Sequence, residues 1–495
     1  MNIFNSAYFK KKNNIQEFKI VCKIKDFLKL KKKYHIFSYV SLDFLAAVLA
    51  WLFFFFLRKY ILEESGGHFS MLLIRNSLVI GTYWVVFYAF FGFYRDIYQK
   101  SRVKEVLLLL TTTFLGCVLI FFILFLDDAG VNRYTAYYKT FFSYFFTQFT
   151  LTTIFRVILI SRIKRLIKNK KLSFKGLIIG SDKRAKDILF EIQKNASIIG
   201  IDVVGFVRVH QENGREMEQD LECLGTYTTL GSIISENKIE HVIIAVEPNE
   251  HDRISEILGL LTSKKIRISI IPDVYHLLLG SVKIHQVFGV PLIEINQDLI
   301  PLWQKIVKRG VDVVAAIMVL TLGFPFLLFV SLMTKYTSKG PIFYLQERIG
   351  KDGKPFKIIK FRSMYVNSEM MGPALSSSDD ARITPWGKFM RKTRIDEFPQ
   401  FFNVLIGEMS LVGPRPERHY FIDQIVKHAP HYIHLHRVRP GITSLGQVKF
   451  GYAENVDQMV KRLKYDILYI ENMSLAMDFR IILYTVLIMI QGRGK

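Results

Sequence analysis

The sequence predicts a membrane protein in three parts: a four-helix transmembrane bundle, a Rossmann-like α/β domain, and a membrane-attached α/β domain with a re-entrant helical hairpin. Three observations carry that prediction. Four apolar stretches, at 36–57, 71–94, 105–126 and 137–160, each approach the ~20 residues that a helix needs to cross a bilayer. From residue 174 onward, apolar runs alternate with polar, helical sequence, which is the pattern of a parallel sheet. A further apolar run at 311–333 carries basic residues on both sides and is broken in its middle by Gly323-Phe324-Pro325. The expected divisions are 1–34, 35–160, 172–292 and 302–495.

Composition agrees with a membrane setting. Half of the 495 residues are hydrophobic and 42 are Phe, which is high for a water-soluble chain. The formal net charge of +24 suits nucleic acid, an anionic membrane face or phosphorylated substrates. No nucleic-acid-binding motif accompanies it, so the basicity is assigned to anionic membrane lipid and phosphates. Cys22, Cys117 and Cys223 are scattered, without metal-ligand spacing or a disulfide framework. Residues 1–34 hold ten Lys and no Arg, and read as a cytoplasmic segment held at the membrane face rather than a cleaved signal.

Charge sets the expected topology. The loop after the second stretch holds Arg95, Lys100, Arg102 and Lys104, and the fourth is followed by Arg162, Lys164, Arg165, Lys168, Lys170 and Lys171. The other two loops are poorer in cations, and the third contains Asp127 and Asp128. By the positive-inside rule both ends of the bundle face the cytoplasm. Four crossings with this alternation are not the pattern of buried core helices.

In the α/β region, 176–180 reads as a buried strand ending in a turn, 187–194 as a helix, and 203–207, 241–246 and 266–271 as further strands. The turn from Gly180 to Ala185 occupies the place of a dinucleotide fingerprint, but Asp182 stands where a second glycine would admit a pyrophosphate. That side chain predicts no tight dinucleotide binding. Residues 291–301, bounded by prolines, read as a linker.

Lys305, Lys308 and Arg309 precede the 311–333 run, while Lys335, Lys339, Arg348 and Lys351 follow it. A full crossing would carry the second basic group outside the cell. Pro325 removes a helix hydrogen bond, so a break there would let the run dip into one leaflet and return. Beyond it, 356–361 is strand-like, 368–380 reads as a mobile loop, 398–406 as an amphipathic helix, 457–463 and 465–471 as helix, and 479–490 as an interfacial helix too short to span.

The chemistry centres on Asp396 and Glu397. Arg391, Lys392 and Arg394 surround this pair, and Pro414-Arg415-Pro416 follows. Clustered cations lower carboxylate pKa values and gather phosphate, and such a mixture suits a divalent metal with a diphosphate. Alone, an Asp-Glu pair would read as a surface salt-bridge cluster. Its surroundings are Lys308-Arg309-x-x-Asp312, Gly340-Pro341-Ile342-Phe343, Gln346-Glu347-Arg348-Ile349-Gly350, FKIIKFRSM at 356–364, Arg382-Ile383-Thr384 and GEMSLVGPRPE at 407–417. In that order they resemble the bacterial polyprenyl-phosphate sugar-1-phosphate transferases, over residues 303–495. The upstream layout resembles the long, multi-helix branch of that family.

The resemblance implies a catalytic domain at 302–495 with the re-entrant hairpin at 311–333, on the cytoplasmic face of the bacterial inner membrane. It implies a UDP-sugar and undecaprenyl phosphate as substrates, and exopolysaccharide, capsule or O-antigen synthesis as the setting. Asp396 is the implied nucleophile and Glu397 the implied Mg²⁺ ligand with Asp396 beside it. Arg391 and Arg415 are implied phosphate contacts. Lys360 and Arg362 are candidates for phosphate, with snorkelling to lipid headgroups the competing role. Asp466 and Tyr469 match a downstream D-x-x-Y, with contact to substrate or a purely structural role both open. Arg394-Ile395 and Phe398 depart from the commoner Ser-Leu and Leu. A homo-oligomer is compatible with this reading. The competing enzyme is a membrane-attached NAD-dependent nucleotide-sugar dehydratase or epimerase using 172–292, for which the degraded fingerprint is a poor start. A non-enzymatic scaffold would be marked by loss of Asp396 or Glu397, and both are present.

Overall fold

The computed structural model describes residues 34–61, 70–125, 134–170, 172–195, 200–209, 217–246, 251–262, 266–271, 292–295, 299–366, 380–451, 453 and 455–491. The basic segment at 1–33, Asp127-Asp128 and the loop expected at 368–380, up to residue 379, lie outside the described residues. Two compact units divide the chain, 1–171 and 172–495.

The first unit holds α1 (Tyr34–Ile61), α2 (Met71–Phe90), α3 (Arg102–Ile120) and α4 (Tyr134–Lys168). All four are long and apolar enough to cross a membrane. The second apolar stretch reaches 94, but α2 stops at Phe90, where Phe91 caps it and the chain turns at Gly92. Large apolar side chains such as Phe53, Val79, Leu107 and Phe146 face outward, while charge lies inside. Arg156 of α4 is buried and grips Asp43 of α1 through two hydrogen bonds, Nε to Oδ1 at 2.9 Å and Nη2 to Oδ2 at 2.7 Å. Its third nitrogen, Nη1, lies 3.1 Å from Oε1 of Glu105 in α3, which Lys100 also contacts at 2.7 Å. The guanidinium further stacks over the rings of Tyr88 and Phe93. An arginine fork satisfies two carboxylates on two other helices at once, so it fixes helix register as well as charge. Arg156→Met leaves Asp43 and Glu105 buried without it, at an expected loss of about 3–5 kcal/mol. Thermal unfolding of the detergent-solubilised protein checks this, and a midpoint unchanged from the parent would refute it.

The second unit opens with a six-stranded sheet in the order β3-β2-β1-β4-β5-β6. Its strands are β1 (Phe174–Ile179), β2 (Ile201–Arg208), β3 (Cys223–Thr226), β4 (His241–Ile244), β5 (Arg267–Ile270) and β6 (Ile293–Ile295). The first five are parallel and β6 is antiparallel to β5. Helices α5 (Lys183–Lys194), α6 (Leu230–Asn237) and α7 (His251–Thr262) connect them. In β1, Leu177 and Ile179 enter one hydrophobic cluster and Ile178 the other. A strand covered on both faces reads as one apolar run, which makes β1 legible in the sequence. Strands β3 and β6 are not legible, because each is short and at an edge. The stretch 291–301 is therefore not wholly a linker: β6 lies in it, and the sheet extends past residue 292. At Gly180 (φ +133°) a side chain would come within 2.6 Å of the Ala245 carbonyl oxygen, so the turn after β1 requires glycine.

The remainder begins with α8 (Leu302–Leu322) and α9 (Phe324–Thr337), bent by 64° at their junction. The break expected at Pro325 falls at Gly323, and Pro325 sits in the first turn of α9, where its missing N–H costs nothing. A β-hairpin follows, β7 (Phe343–Ile349) with β8 (Pro355–Phe361). Then come α10 (Pro385–Thr393), α11 (Gln400–Ile406), β9 (Ser410–Val412), α12 (His419–His428), β10 (Gly441–Thr443), α13 (Leu445–Lys449), α14 (Val456–Glu471) and α15 (Leu475–Ile490). The two helices expected at 457–463 and 465–471 are one, α14, since Lys464 does nothing to interrupt it. At 16 residues α15 is shorter than a crossing requires.

Three residues in α8, Lys308, Arg309 and Asp312, tie it to this fold. Lys308 reaches Asp478 of α15 at 2.6 Å and the Val412 carbonyl at 2.9 Å. Arg309 donates to the Val404 and Leu405 carbonyls at the carboxyl end of α11. Asp312 is buried and accepts from Ser410 Oγ and the Leu411 N–H.

Candidate active site

Asp396 and Glu397 occupy a single 3₁₀ turn, Ile395–Glu397, between α10 and α11. The local sequence makes that turn. Thr384 caps α10 by accepting from the Gly387 N–H, and Arg394 ends it in a left-handed conformation, φ 59°. A non-glycine residue in that region costs of order 1–2 kcal/mol, and here it redirects the chain so that both carboxylates point inward. A side chain at Gly387 would fall on the Ser363 carbonyl, so glycine lets α10 close on the segment that follows β8.

Both carboxylates are buried, Asp396 at 7% exposure and Glu397 at 8%. Their surroundings differ. Lys360 Nζ of β8 lies 2.9 Å from Glu397 Oε1, with Arg415 Nη1 at 3.7 Å and Arg394 Nη1 at 3.8 Å from the same oxygen. Burial pushes the Glu397 carboxyl up, but Lys360, Arg415 and Arg394 together outweigh it and hold the group well below the usual range. Asp396 goes the other way. Burial, and then the charge of Glu397, raise it to about 6 against the pull of Lys360, Arg391 and Arg394. Its Oδ1 is buried without a hydrogen-bond partner.

Of the cations picked from sequence, Lys360 and Arg415 meet the dyad directly. Snorkelling is therefore not the role of Lys360. Arg391 acts on Asp396 through space, while its Nε donates to Ser363 Oγ at 2.9 Å. Arg362 is placed elsewhere: it is buried against Gly340, and its Nη2 donates to the Ser338 carbonyl at 2.6 Å and to Ser338 Oγ at 2.8 Å. Through Nη2 it closes the turn that follows α9, while its Nε and Nη1 are buried without hydrogen-bond partners. Asp466 and Tyr469 are brackets of the fold. Asp466 accepts from the Gly446 N–H at 3.0 Å, and burial raises its carboxyl to about 6. Tyr469 donates to Asp478 at 2.6 Å, inside the network that anchors Lys308.

Sequence reasoning passes over the support beneath Arg415. Glu417, two residues on, is buried between Arg462 Nη2 of α14 at 2.7 Å and Arg348 Nη1 of β7 at 3.1 Å. Arg348 also donates to the Pro416 carbonyl, and the Ile349 N–H to the carbonyl of Glu417. Charge alone does not distinguish Glu417 from a surface acid; its place at the end of the Pro-Arg-Pro run is the available signal. Gln400 and Ser363 are missed as well, since uncharged residues carry no such mark.

A divalent cation fits this site. The donors are hard carboxylate oxygens, one of them, Asp396 Oδ1, without a partner. No group of three or more acidic, His or Cys ligands exists among the described residues, so a diphosphate would have to supply the rest.

Glu417→Gln should keep the fold's shape while weakening both arginine contacts, so that Arg415 loses its fixed place beside Glu397. The expected result is a loss of about tenfold or more in kcat/KM, consistent with misplaced positioning groups. Steady-state kinetics against the unsubstituted protein checks it; unaltered kinetics would separate Glu417 from the site.

Residues 303–492 match the family described as bacterial sugar transferase, and residues 89–272 match one described as CoA-binding domain. Among curated relatives, a UDP-N-acetylgalactosamine-undecaprenyl-phosphate N-acetylgalactosaminephosphotransferase of Aeromonas hydrophila is 45% identical over 38% of this chain. The chain spans 44% of that relative's length. A UDP-glucose:undecaprenyl-phosphate glucose-1-phosphate transferase of Escherichia coli is 28% identical, over 86% of this chain and 90% of its own. A UDP-galactose-lipid carrier transferase of Erwinia amylovora is 31% identical, over 67% of this chain and 72% of its own.

Proposed function

Since this chain belongs to the bacterial sugar transferase family, we propose that it transfers a sugar-1-phosphate from a UDP-sugar to undecaprenyl phosphate. The products are an undecaprenyl-diphosphate sugar and UMP, and the step initiates exopolysaccharide, capsule or O-antigen synthesis. The observation that carries the mechanism is the asymmetry of the dyad. Glu397 is compensated by three cations, whereas Asp396 keeps an oxygen without a partner. A carboxylate with a lone pair unengaged is the better nucleophile.

In the first step an oxygen of Asp396 bonds to the β-phosphorus, the bond to the bridging oxygen breaks, and UMP departs. In the second, a phosphate oxygen of undecaprenyl phosphate attacks that phosphorus and Asp396 leaves as a carboxylate. Arg391 and Arg415 are assigned to hold the diphosphate, as their places about the dyad favour. Glu397 and Asp396 would hold Mg²⁺, which neutralises diphosphate charge when bound. The comparisons do not favour a nucleotide-sugar dehydratase or epimerase.

We place the four apolar helices across the bacterial inner membrane and the α8–α9 pair in its cytoplasmic leaflet as a re-entrant hairpin, 311–333. The 64° bend and the basic residues on both sides support this. A site resting on the headgroup layer meets a water-soluble nucleotide and a lipid whose phosphate lies at the surface.

Two experiments test these readings. Membranes supplied with a panel of UDP-sugars and Mg²⁺ but no lipid acceptor should release one burst of UMP and yield a hexose-phosphate adduct on the peptide containing Asp396, by rapid-quench mass spectrometry. Asp396→Asn should abolish burst and adduct together, and Glu397→Gln should cripple turnover. An adduct persisting in Asp396→Asn, or UMP release strictly dependent on acceptor, refutes the two-step route. For topology, single cysteines at Lys10, Lys171, Lys351 and Lys495 should all escape an impermeant reagent applied from outside. Labelling at 351 alone would make the α8–α9 pair a span.

A further inference from the structure

The dyad is surrounded by more positive charge than its own carboxylates need. Lys360, Arg391, Arg394 and Arg415 act on Asp396 and Glu397, four cations on two acids, which leaves two positive charges in excess. Glu417 does not absorb that excess, because Arg348 and Arg462 already pair it. Cations gathered at a buried site repel one another, so folding alone gives no reason for the surplus. An arriving anion does.

The four cations are not held alike. Lys360 Nζ is hydrogen-bonded to Glu397 Oε1 at 2.9 Å. Arg391 Nε donates to Ser363 Oγ, and Arg415 stands between two prolines. Arg394 Nη1 lies 3.8 Å from Glu397 Oε1, an ion pair beyond hydrogen-bond length. Its side chain is 23% exposed, against 16% for Lys360 and 12% for Arg415, so it meets both the dyad and solvent. Its backbone is left-handed, φ 59° and ψ 17°, a conformation that glycine and asparagine take at less cost. A helix cap by itself has no use for a guanidinium there. Backbone strain kept beneath a charged side chain at a buried site is the pattern of a ligand clamp. Ser is the commoner residue here in the family that the sequence resembles, so this cation is no part of the shared motif.

We propose that Arg394 is a binding residue for the donor, its guanidinium leaving Glu397 to grip the diphosphate of the UDP-sugar. The role rests on the two-step reading above, in which the donor is the first ligand to meet the resting dyad. The diphosphate of a nucleotide sugar carries one negative charge on each phosphate, which matches the excess. Its oxygens accept the parallel hydrogen bonds of a guanidinium fork, whereas Glu397 Oε1 at 3.8 Å accepts none from Nη1. Glu397 stays compensated when Arg394 turns away, since Lys360 and Arg415 remain beside it.

The test uses the full chain in native membranes, with whichever of UDP-glucose, UDP-galactose or UDP-N-acetylgalactosamine the unsubstituted protein consumes. It reads the UDP-sugar concentration that gives half the maximal rate of the acceptor-free UMP burst. Arg394→Ser and Arg394→Gly should raise that concentration about tenfold or more, and Arg394→Lys, which keeps the charge, should recover part of the loss. Burst amplitude at saturating donor, which counts folded sites, should match the parent. Glycine suits the left-handed backbone, so the unfolding midpoint of detergent-solubilised Arg394→Gly should stand at or above the parent's. An unchanged half-saturating concentration in Arg394→Ser overturns the role, and so does an Arg394→Lys no better than Arg394→Ser. A midpoint of Arg394→Gly that falls along with its donor affinity makes Arg394 a structural counter-ion of Glu397, and overturns the role as well. Slowed transfer to undecaprenyl phosphate with an unaltered burst would move the guanidinium to the acceptor's phosphate, against the proposal. Absence of a burst in the unsubstituted protein overturns the two-step route instead, and KM for the UDP-sugar in the complete reaction then decides the grip.

Discussion

Two carboxylates in adjacent positions, both more than nine-tenths buried, set the terms for the second unit. Removing charge from water costs several kcal/mol per ion after relaxation, and a like charge beside it adds to that. The sequence meets this cost from separate segments. Lys360 comes from β8, Arg391 from α10, Arg394 from the turn after it, and Arg415 from the loop after β9. Each must arrive within a few ångströms, so strand, helix and loop are held in one relation. The clamp on Glu417 and the close approach at Gly387 serve that relation.

The anchoring of α8 follows the same logic. Lys308, Arg309 and Asp312 point into the α/β region and pair with α15, α11 and β9. Polar groups placed there bind α8 to elements that follow the dyad in the chain. Elsewhere along the pair α8 and α9 expose Val314, Leu322, Phe324 and Phe329, a surface with no use in water. One end of the hairpin is therefore specified by hydrogen bonds and the other by the solvent it prefers.

Much of this is legible in the residues. The apolar helices show through length, β1 through an unbroken apolar run, and the dyad through its motif and neighbouring cations. What escapes has physical reasons. Edge strands β3 and β6 are too short to show a period. Pro325 draws attention because proline breaks helices, yet it sits harmlessly in a first turn while Gly323 makes the bend. Arg362 lies two residues beyond Lys360, the spacing that keeps two side chains on one face of a strand. But β8 ends at Phe361, so that alternation does not reach Arg362. Buried acids such as Glu417 take their meaning from partners tens of residues away, and pairing over that range is not written in spacing.

The dyad region is also where the chain forgoes stability. Replacing a buried ion cluster by apolar residues of like volume is commonly neutral or stabilising, so nothing about folding alone requires Asp396 and Glu397. Arg394 adds a left-handed backbone, and Asp396 and Gln400 add polar atoms without partners. Elsewhere in this unit buried acids are satisfied: Asp312, Glu417 and Asp478 each have two or more hydrogen-bond donors. Strain and two of this unit's unmet hydrogen bonds thus meet within seven residues, 394–400, around the dyad. That distribution is expected where a ligand, arriving later, completes the pairing that the protein leaves open.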